Sequence, residues 1–206
     1  MQMLNRMEYL HSNYFLHRDL KPENITIGYG KKSNIVYLID YGLAKRYLCP
    51  KTGQHIPFKE EKGIVGTQRY LSLSAHSGNE HSRRDDLEAV GIILINFLRG
   101  GKLPWDIPRP KEQKFDAKDP NAYQNQLLRD KAFEQWEIDV MIKKQETTLE
   151  ELCEGLPKPF YQYMVHVRSL HFEQKPNYKY LRQLFETMFK EKNYEDDGNF
   201  DWVITK

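Results

Sequence analysis

The stretch His17-Arg18-Asp19-Leu20-Lys21-Pro22-Glu23-Asn24 decides how the rest of the chain is read. Within eight residues it sets out a carboxylate (Asp19), a cation (Lys21) and an amide (Asn24). Pro22 confines the backbone of Lys21 to extended conformations, which helps fix the loop. Sixteen residues beyond Asn24 stands a second carboxylate, Asp40, followed by Tyr41 and Gly42. Between them, residues 25–27 and 35–39 are rich in β-branched and apolar side chains, and the segment from Gly28 to Asn34 is rich in turn formers. That pattern predicts a short β-hairpin. It would carry Asn24 at one entrance and Asp40 at the opposite exit, so that both reach the same edge.

These residue types suit phosphoryl transfer, which leaves a protein little covalent work beyond positioning groups and neutralising charge. One carboxylate must face a hydroxyl and accept its proton, the role open to Asp19. A cation must hold the transferring phosphate, and Lys21 is the candidate. Hard Mg²⁺ needs oxygen ligands, and Asn24 and Asp40 supply them. The run from His17 to Asn24 resembles the catalytic-loop pattern H-R-D-L-x-x-x-N of protein kinases. Asp40-Tyr41-Gly42 stands where that pattern has Asp-Phe-Gly. The resemblance implies ATP and Mg²⁺ as cofactors, with Lys21, Asn24 and Asp40 against the nucleotide phosphates and the metal.

Working outward, residues 1–11 read as a helix with Met3, Met7 and Leu10 on one stripe, stopped at Ser12 and Asn13. Residues 43–71 are polar and interrupted by Pro50, Gly53, Pro57, Gly63 and Gly66, which predicts a long functional loop. Residues 86–99 read as a helix apolar on most sides, with Leu87, Val90, Ile92, Ile93, Leu94, Phe97 and Leu98 in its body, hence buried. Residues 106–131 are charged and contain Pro108, Pro110 and Pro120, and read as a surface insertion. Helical segments are expected at 132–142, 149–153, 159–172 and 177–190, their aromatic and Met stripes serving as core.

With 31 basic and 29 acidic residues the net charge is +2, which gives no nucleic-acid footprint. No apolar run approaches the ~20 residues of a membrane span. Cys49 and Cys153 show no metal or redox spacing, and a reducing, intracellular setting (cytoplasm or nucleus) is expected.

Further motifs narrow the resemblance. Gly66-Thr67-Gln68-Arg69-Tyr70, His76, the run from Ser82 to Glu88, His55-Ile56-Pro57, Leu103-Pro104-Trp105, Lys175-Pro176, the run from Tyr180 to Phe185, and Phe200-Asp201-Trp202 are all similar to casein kinase I. The similarity covers nearly the whole chain except residues 106–131, where that family is shorter. It implies a mainly α fold with a short β-hairpin, the large lobe of the protein kinase fold, over residues 1–206. It also implies a serine/threonine kinase acting on protein substrates that are acidic or already phosphorylated. Thr67 would bond Asp19 and Lys21, and Asp86 would hold backbone amides of the catalytic loop. Arg18, Lys45, Lys62 and Arg69 would converge on a substrate anion. Without the resemblance, Asp86 is equally an ordinary charge at a helix start, and Lys45 and Lys62 are equally separate solvated cations.

Three departures stand out. Tyr41 replaces the usual Phe and would need a hydroxyl partner if buried. Ser72-Leu73-Ser74 replaces the family's Ser-Ile-Asn beneath the substrate platform. Trp136 stands near a position where the family often has a basic residue. No glycine precedes Gly28, so no glycine-rich nucleotide loop, and no paired lysine and glutamate of a small lobe, lie before the catalytic loop. The chain as given is therefore expected to be a large lobe alone that binds nucleotide weakly. A non-catalytic interaction module is the alternative reading. Composition does not address oligomeric state.

Overall fold

The computed structural model describes residues 1–110, 121–195 and 200. The first helix, α1 (Gln2–Ser12), buries Leu4, Met7 and His11, with Met3 and Leu10 packed at the border. The buried stripe is thus one position round from the expected one, and it includes a histidine. The chain then passes through β1 (Phe15–Leu16) into the loop that carries Asp19. A 3₁₀ turn at Pro22–Asn24 leads into β2 (Ile25–Ile27), which pairs antiparallel with β3 (Val36–Leu38) in the register Ile25↔Leu38, Thr26↔Tyr37, Ile27↔Val36. This is the expected hairpin, slightly shorter on its second arm. A second pairing had no signal in the sequence: β4 (Lys45–Arg46) returns to β1, with Phe15 opposite Arg46 and Leu16 opposite Lys45.

After the long loop and a single turn, α2 (Leu73–His76), comes the central helix α3 (Arg83–Leu98). It begins three residues before the expected start, where the Asp85 carboxylate turns back to accept the Ser82 backbone N–H at 2.7 Å. Its body is buried from Asp85 to Ile93. Phe97 and Leu98 were expected within that body but are more than half exposed. Phe97 instead lines an apolar groove with Met3, Pro22, Ile25 and Val36.

The segment read as an insertion is only partly irregular. Helix α4 runs from Ala122 to Glu146, ten residues earlier than expected. The prolines at 108, 110 and 120 all lie ahead of it, and nothing in residues 122–131 breaks a helix. Asp106 and Ile107 belong to the packed body, Ile107 lying against the core. Residues 111–120 fall outside the described residues, as do Asp201 and Trp202 of the terminal motif.

Three further helices complete the fold: α5 (Leu149–Leu152), capped by Thr148; α6 (Lys158–Arg168), with Pro159 in its first turn; and α7 (Tyr178–Glu191), capped by Asn177. Helices α1 and α6 pack on α3, and α7 packs on α1 and α6, with Leu87, Ile92, Tyr163, Met164 and Leu181 in the core. Among the described residues no helix is long and apolar enough to cross a membrane.

The closest approach in this core is at Gly91. A Cβ there would sit 2.3 Å from Met164 Sδ and 2.8 Å from Tyr163 Cε1. Gly91→Ala should therefore destabilise by about 1–2 kcal/mol net. Overpacking costs about 1–3 kcal/mol, and better helix propensity returns up to about 1 kcal/mol. Urea unfolding measures this; an unchanged midpoint would show that α6 yields freely.

Candidate active site

The site is assembled around a carboxylate that does no chemistry. Asp86, in the first turn of α3, is 2% exposed. Its Oδ2 accepts the His17 backbone N–H at 2.8 Å and its Oδ1 accepts that of Arg18 at 3.0 Å. His11 Nε2 lies 2.9 Å from Oδ2 and must carry the hydrogen, since a carboxylate only accepts. The other ring nitrogen of His11 meets the Tyr178 hydroxyl at 2.6 Å. Burial pushes the Asp86 carboxyl up, but the His11 bond and the two amides prevail and hold it below the usual range. Two buried amides are thereby satisfied and the loop is pinned, with Arg18 at a φ of 68°. His11 escaped the sequence reading. Its signal was its place at helical spacing from Leu4 and Met7, where an apolar residue would be usual.

The loop then presents Asp19, which is 8% exposed. Oδ1 accepts both the Thr67 backbone N–H at 2.9 Å and its hydroxyl at 2.7 Å. Lys21 Nζ lies 2.9 Å from Oδ2. Burial acts to raise the Asp19 pKa, yet the bonds from Thr67 and Lys21 outweigh it and the carboxyl stays ionised below its ordinary range. Lys21 is raised in turn, chiefly by its bond to Asp19 and also by the charges of Glu23 and Asp40. No bond from the Thr67 hydroxyl to Lys21 accompanies the one to Asp19.

Asn24 donates its Nδ2 hydrogens to Asp19 O at 2.8 Å and to Asp19 Oδ2 at 3.3 Å. That fixes the amide's orientation and leaves its Oδ1 as an acceptor. Across the hairpin, Ile39 N–H donates to Asn24 O at 3.0 Å, which sets Asp40 one residue further along, near enough for its charge to reach Lys21. His17 Nε2 donates to Ile39 O at 3.1 Å while its Nδ1 accepts from Asp19 N–H at 3.3 Å, bracing the two carboxylate segments together. Tyr41 lies against His17, rings 5.2 Å apart, and is half exposed, so its hydroxyl needs no buried partner. Asp40 is exposed, and one of its oxygens takes the Gly42 N–H at 3.2 Å. Asn24 Oδ1 and the Asp40 carboxylate are hard oxygen donors on one edge, a set that fits Mg²⁺ completed by phosphate and water. Among the described residues, no group of three His, Cys, Asp or Glu side chains could hold a metal on its own.

The four expected anion-site residues part company. Lys45 Nζ bonds both Glu80 oxygens at 2.8 Å. Burial raises the Glu80 pKa, and Lys45, Lys62 and Arg18 together more than reverse that. The charges of all three thus reach Glu80, that of Lys45 through direct bonds. Arg69 has partners of its own. Its guanidinium grips Asp106 through Nε and Nη2, each at 2.6 Å, and also donates to the Tyr70 hydroxyl, Gly101 O and Asn96 Oδ1. Nε and Nη2 are taken up in holding the platform, and Nη1, bonded only to the Tyr70 hydroxyl, keeps one N–H for a further acceptor. Asp106 was hidden because it opened the segment read as an insertion. Trp136 donates to Ile107 O at 3.0 Å and acts in packing.

The segment Ser72-Leu73-Ser74 is held on α3. Ser72 Oγ donates to Asp85 Oδ1 at 2.5 Å, and Arg84 reaches Ser74 Oγ at 3.2 Å. Above it Gly66 takes a φ of 103°, and a Cβ there would fall 2.3 Å from Arg18 O. Only glycine lets the chain run that close to the loop and deliver Thr67 to Asp19. The remaining residue that sequence reasoning missed is Lys144. It has no exposed surface and donates to Gln68 O at 2.7 Å and Leu71 O at 2.9 Å.

Two histidines under the platform, His76 and His81, are 1% and 4% exposed, and burial pushes each down to about 4. The unfolded chain takes up protons below its ordinary value of 6.5, and the folded chain refuses them until about 4. Their contribution is therefore intact above pH 6.5 and is lost as the pH falls toward 4, by up to about 3 kcal/mol for each. Urea midpoints between pH 7.5 and 4.5 should show this decline, and His76→Gln or His81→Gln should flatten it. A slope equal to the parent's in both variants would assign the acid sensitivity elsewhere.

With this geometry in view, comparison with known families gives one clear match: residues 1–192 fit the protein kinase domain. The match takes in the catalytic loop, the hairpin, the platform and the helices that hold them, and the chain belongs to the protein kinase family.

Proposed function

We propose that this kinase is of the casein kinase I type and transfers the γ-phosphate of ATP to serine or threonine in intracellular proteins that are acidic or already phosphorylated. The observation that carries this reading is the Asp19 carboxylate, fixed from one side by Thr67 and from the other by Lys21. In the reaction the substrate hydroxyl oxygen bonds to the γ-phosphorus, the bond to the bridging oxygen of ADP breaks, and the hydroxyl proton passes to Asp19. A carboxyl held below its ordinary pKa is a weak base. Its first task is to orient the hydroxyl, and it takes the proton late, as a loose transition state allows. Lys21 neutralises charge on the moving phosphoryl group. Asn24 and Asp40 would hold Mg²⁺, which when bound offsets the charge of the phosphate oxygens.

Substrate choice is read from Arg18, Lys45 and Lys62. What supports this is that the charges of Lys45, Lys62 and Arg18 all act on Glu80, Lys45 by direct bonds. Lys62 is exposed and so is available to a phosphate or carboxylate on the substrate. A charge-assisted hydrogen bond is worth about 1.5–3 kcal/mol.

Radiolabelled transfer from ATP tests the reading on three peptides: a serine peptide with an upstream phosphoserine, its unphosphorylated form, and a tyrosine analogue. The phosphorylated serine peptide should be preferred and the tyrosine peptide left unlabelled. Asp19→Asn should cut the rate by about 100-fold or more. Lys62→Ala should remove roughly 10-fold of the preference for the phosphorylated peptide. Equal labelling of tyrosine would overturn the specificity. Labelling at background by parent and Asp19→Asn alike would favour the non-catalytic module for the chain as given.

A further inference from the structure

Lys144 lies in the last turn of α4, a place where a lysine is ordinarily solvated and helps neutralise the helix dipole. Here it is turned fully inward. Its ammonium meets two carbonyls, Gln68 O and Leu71 O, and lies 5.1 Å from the centre of the Trp105 ring. Trp105 Nε1 donates to a third carbonyl of the same turn, Arg69 O, at 2.9 Å. The 3₁₀ turn Gln68–Tyr70 is thus held from outside by side chains. The turn hangs directly on Thr67, whose carbonyl accepts Tyr70 N–H at 2.9 Å and Leu71 N–H at 3.2 Å. Thr67 gives both its own donors to Asp19. A short chain of hydrogen bonds therefore runs from Lys144, through four backbone units, to the carboxylate.

We propose that Lys144 is a positioning residue for Asp19: through the Gln68–Leu71 backbone it holds Thr67 against the carboxylate, and the hold weakens when Lys144 loses its proton. That this matters for transfer rests on the kinase reading above; the mechanical coupling does not.

The surroundings of Lys144 make its charge conditional. Burial pushes it down to about 7. Glu88 on α3 acts to raise it and Arg168 on α6 to lower it further, the two being themselves paired at 2.9 Å. His76 on α2 also faces it and, pushed down to about 4, is neutral near pH 7. Above pH 7 the neutral amine keeps two N–H donors, but bonds from a charged donor are roughly twice as strong as neutral ones. The clamp on the turn should slacken over the range in which Lys144 titrates.

Nuclear magnetic resonance on the full chain from pH 5.5 to 8.5 tests this. The Lys144 side-chain carbon next to the ammonium reports protonation, and the Thr67 backbone amide reports its bond to Asp19. The expected result is one shared midpoint near 7, with the Thr67 amide proton moving upfield as the pH rises. Lys144→Met, which keeps the volume and removes the donors, should abolish that step. It leaves His17 and Lys21, the other titratable neighbours of Asp19, in place. A Thr67 amide that ignores pH, titrates away from the Lys144 midpoint, or keeps its step in Lys144→Met overturns the proposal. Should Lys144→Met fail to fold, the two midpoints in the parent protein decide. Failure of the parent to phosphorylate any peptide would count against catalysis by the chain as given and leave this coupling standing.

Discussion

Asp86 is the constraint on which the rest depends. A carboxylate with almost no exposed surface survives ionised only if its acceptors are filled, and here two backbone N–H groups and one imidazole fill them. Removing one partner of such a buried set typically costs about 3–5 kcal/mol. The same bonds convert that cost into position. They tie α1, α3 and the loop to a single point, and Tyr178 extends the tie to α7. The loop carrying Asp19 has no ladder of its own beyond the two-residue pairing of β1 with β4, so its shape comes from helices elsewhere in the chain.

The platform beneath follows the same logic. Few of its backbone groups are satisfied by regular structure, and side chains supply the deficit: Ser72 with Asp85, Trp105 on Arg69 O, Lys144 on Gln68 O and Leu71 O. Irregular backbone can be buried when donors and acceptors are brought to it. That explains why so many charged residues, including Asp85, Asp86, Glu88 and Lys144, lie inside this molecule. Burial lifts the carboxyls of Asp85 and Glu88 and lowers the ammonium of Lys144.

How much of this the sequence disclosed depends on the range of the interaction. The hairpin, α1, α6 and α7 were legible because periodicity and turn residues are local signals. The neighbourhood of Asp19, Lys21 and Asn24 was legible because six residues span it. Thr67 and Asp86 could be placed only through the likeness to a known family, since their partners lie some fifty residues or more away. His11 and Lys144 gave no such sign. Each is a polar residue at a helical position where composition alone suggests solvent, and only the packed tertiary structure turns it inward. The partners of Arg69 were hidden for a related reason. A lone arginine in a polar loop looks available until Asp106 is found across from it. The early start of α4 was missed because three prolines coloured a whole segment although all of them precede the helix.

Asp106 and Lys144 have one more consequence when taken together. Both reach the Gln68–Leu71 turn, Asp106 through the Arg69 guanidinium and Lys144 through the carbonyls of Gln68 and Leu71. Loosening either one leaves the other on the same turn, so the backbone that carries Thr67 to Asp19 has a spare anchor on its outer side.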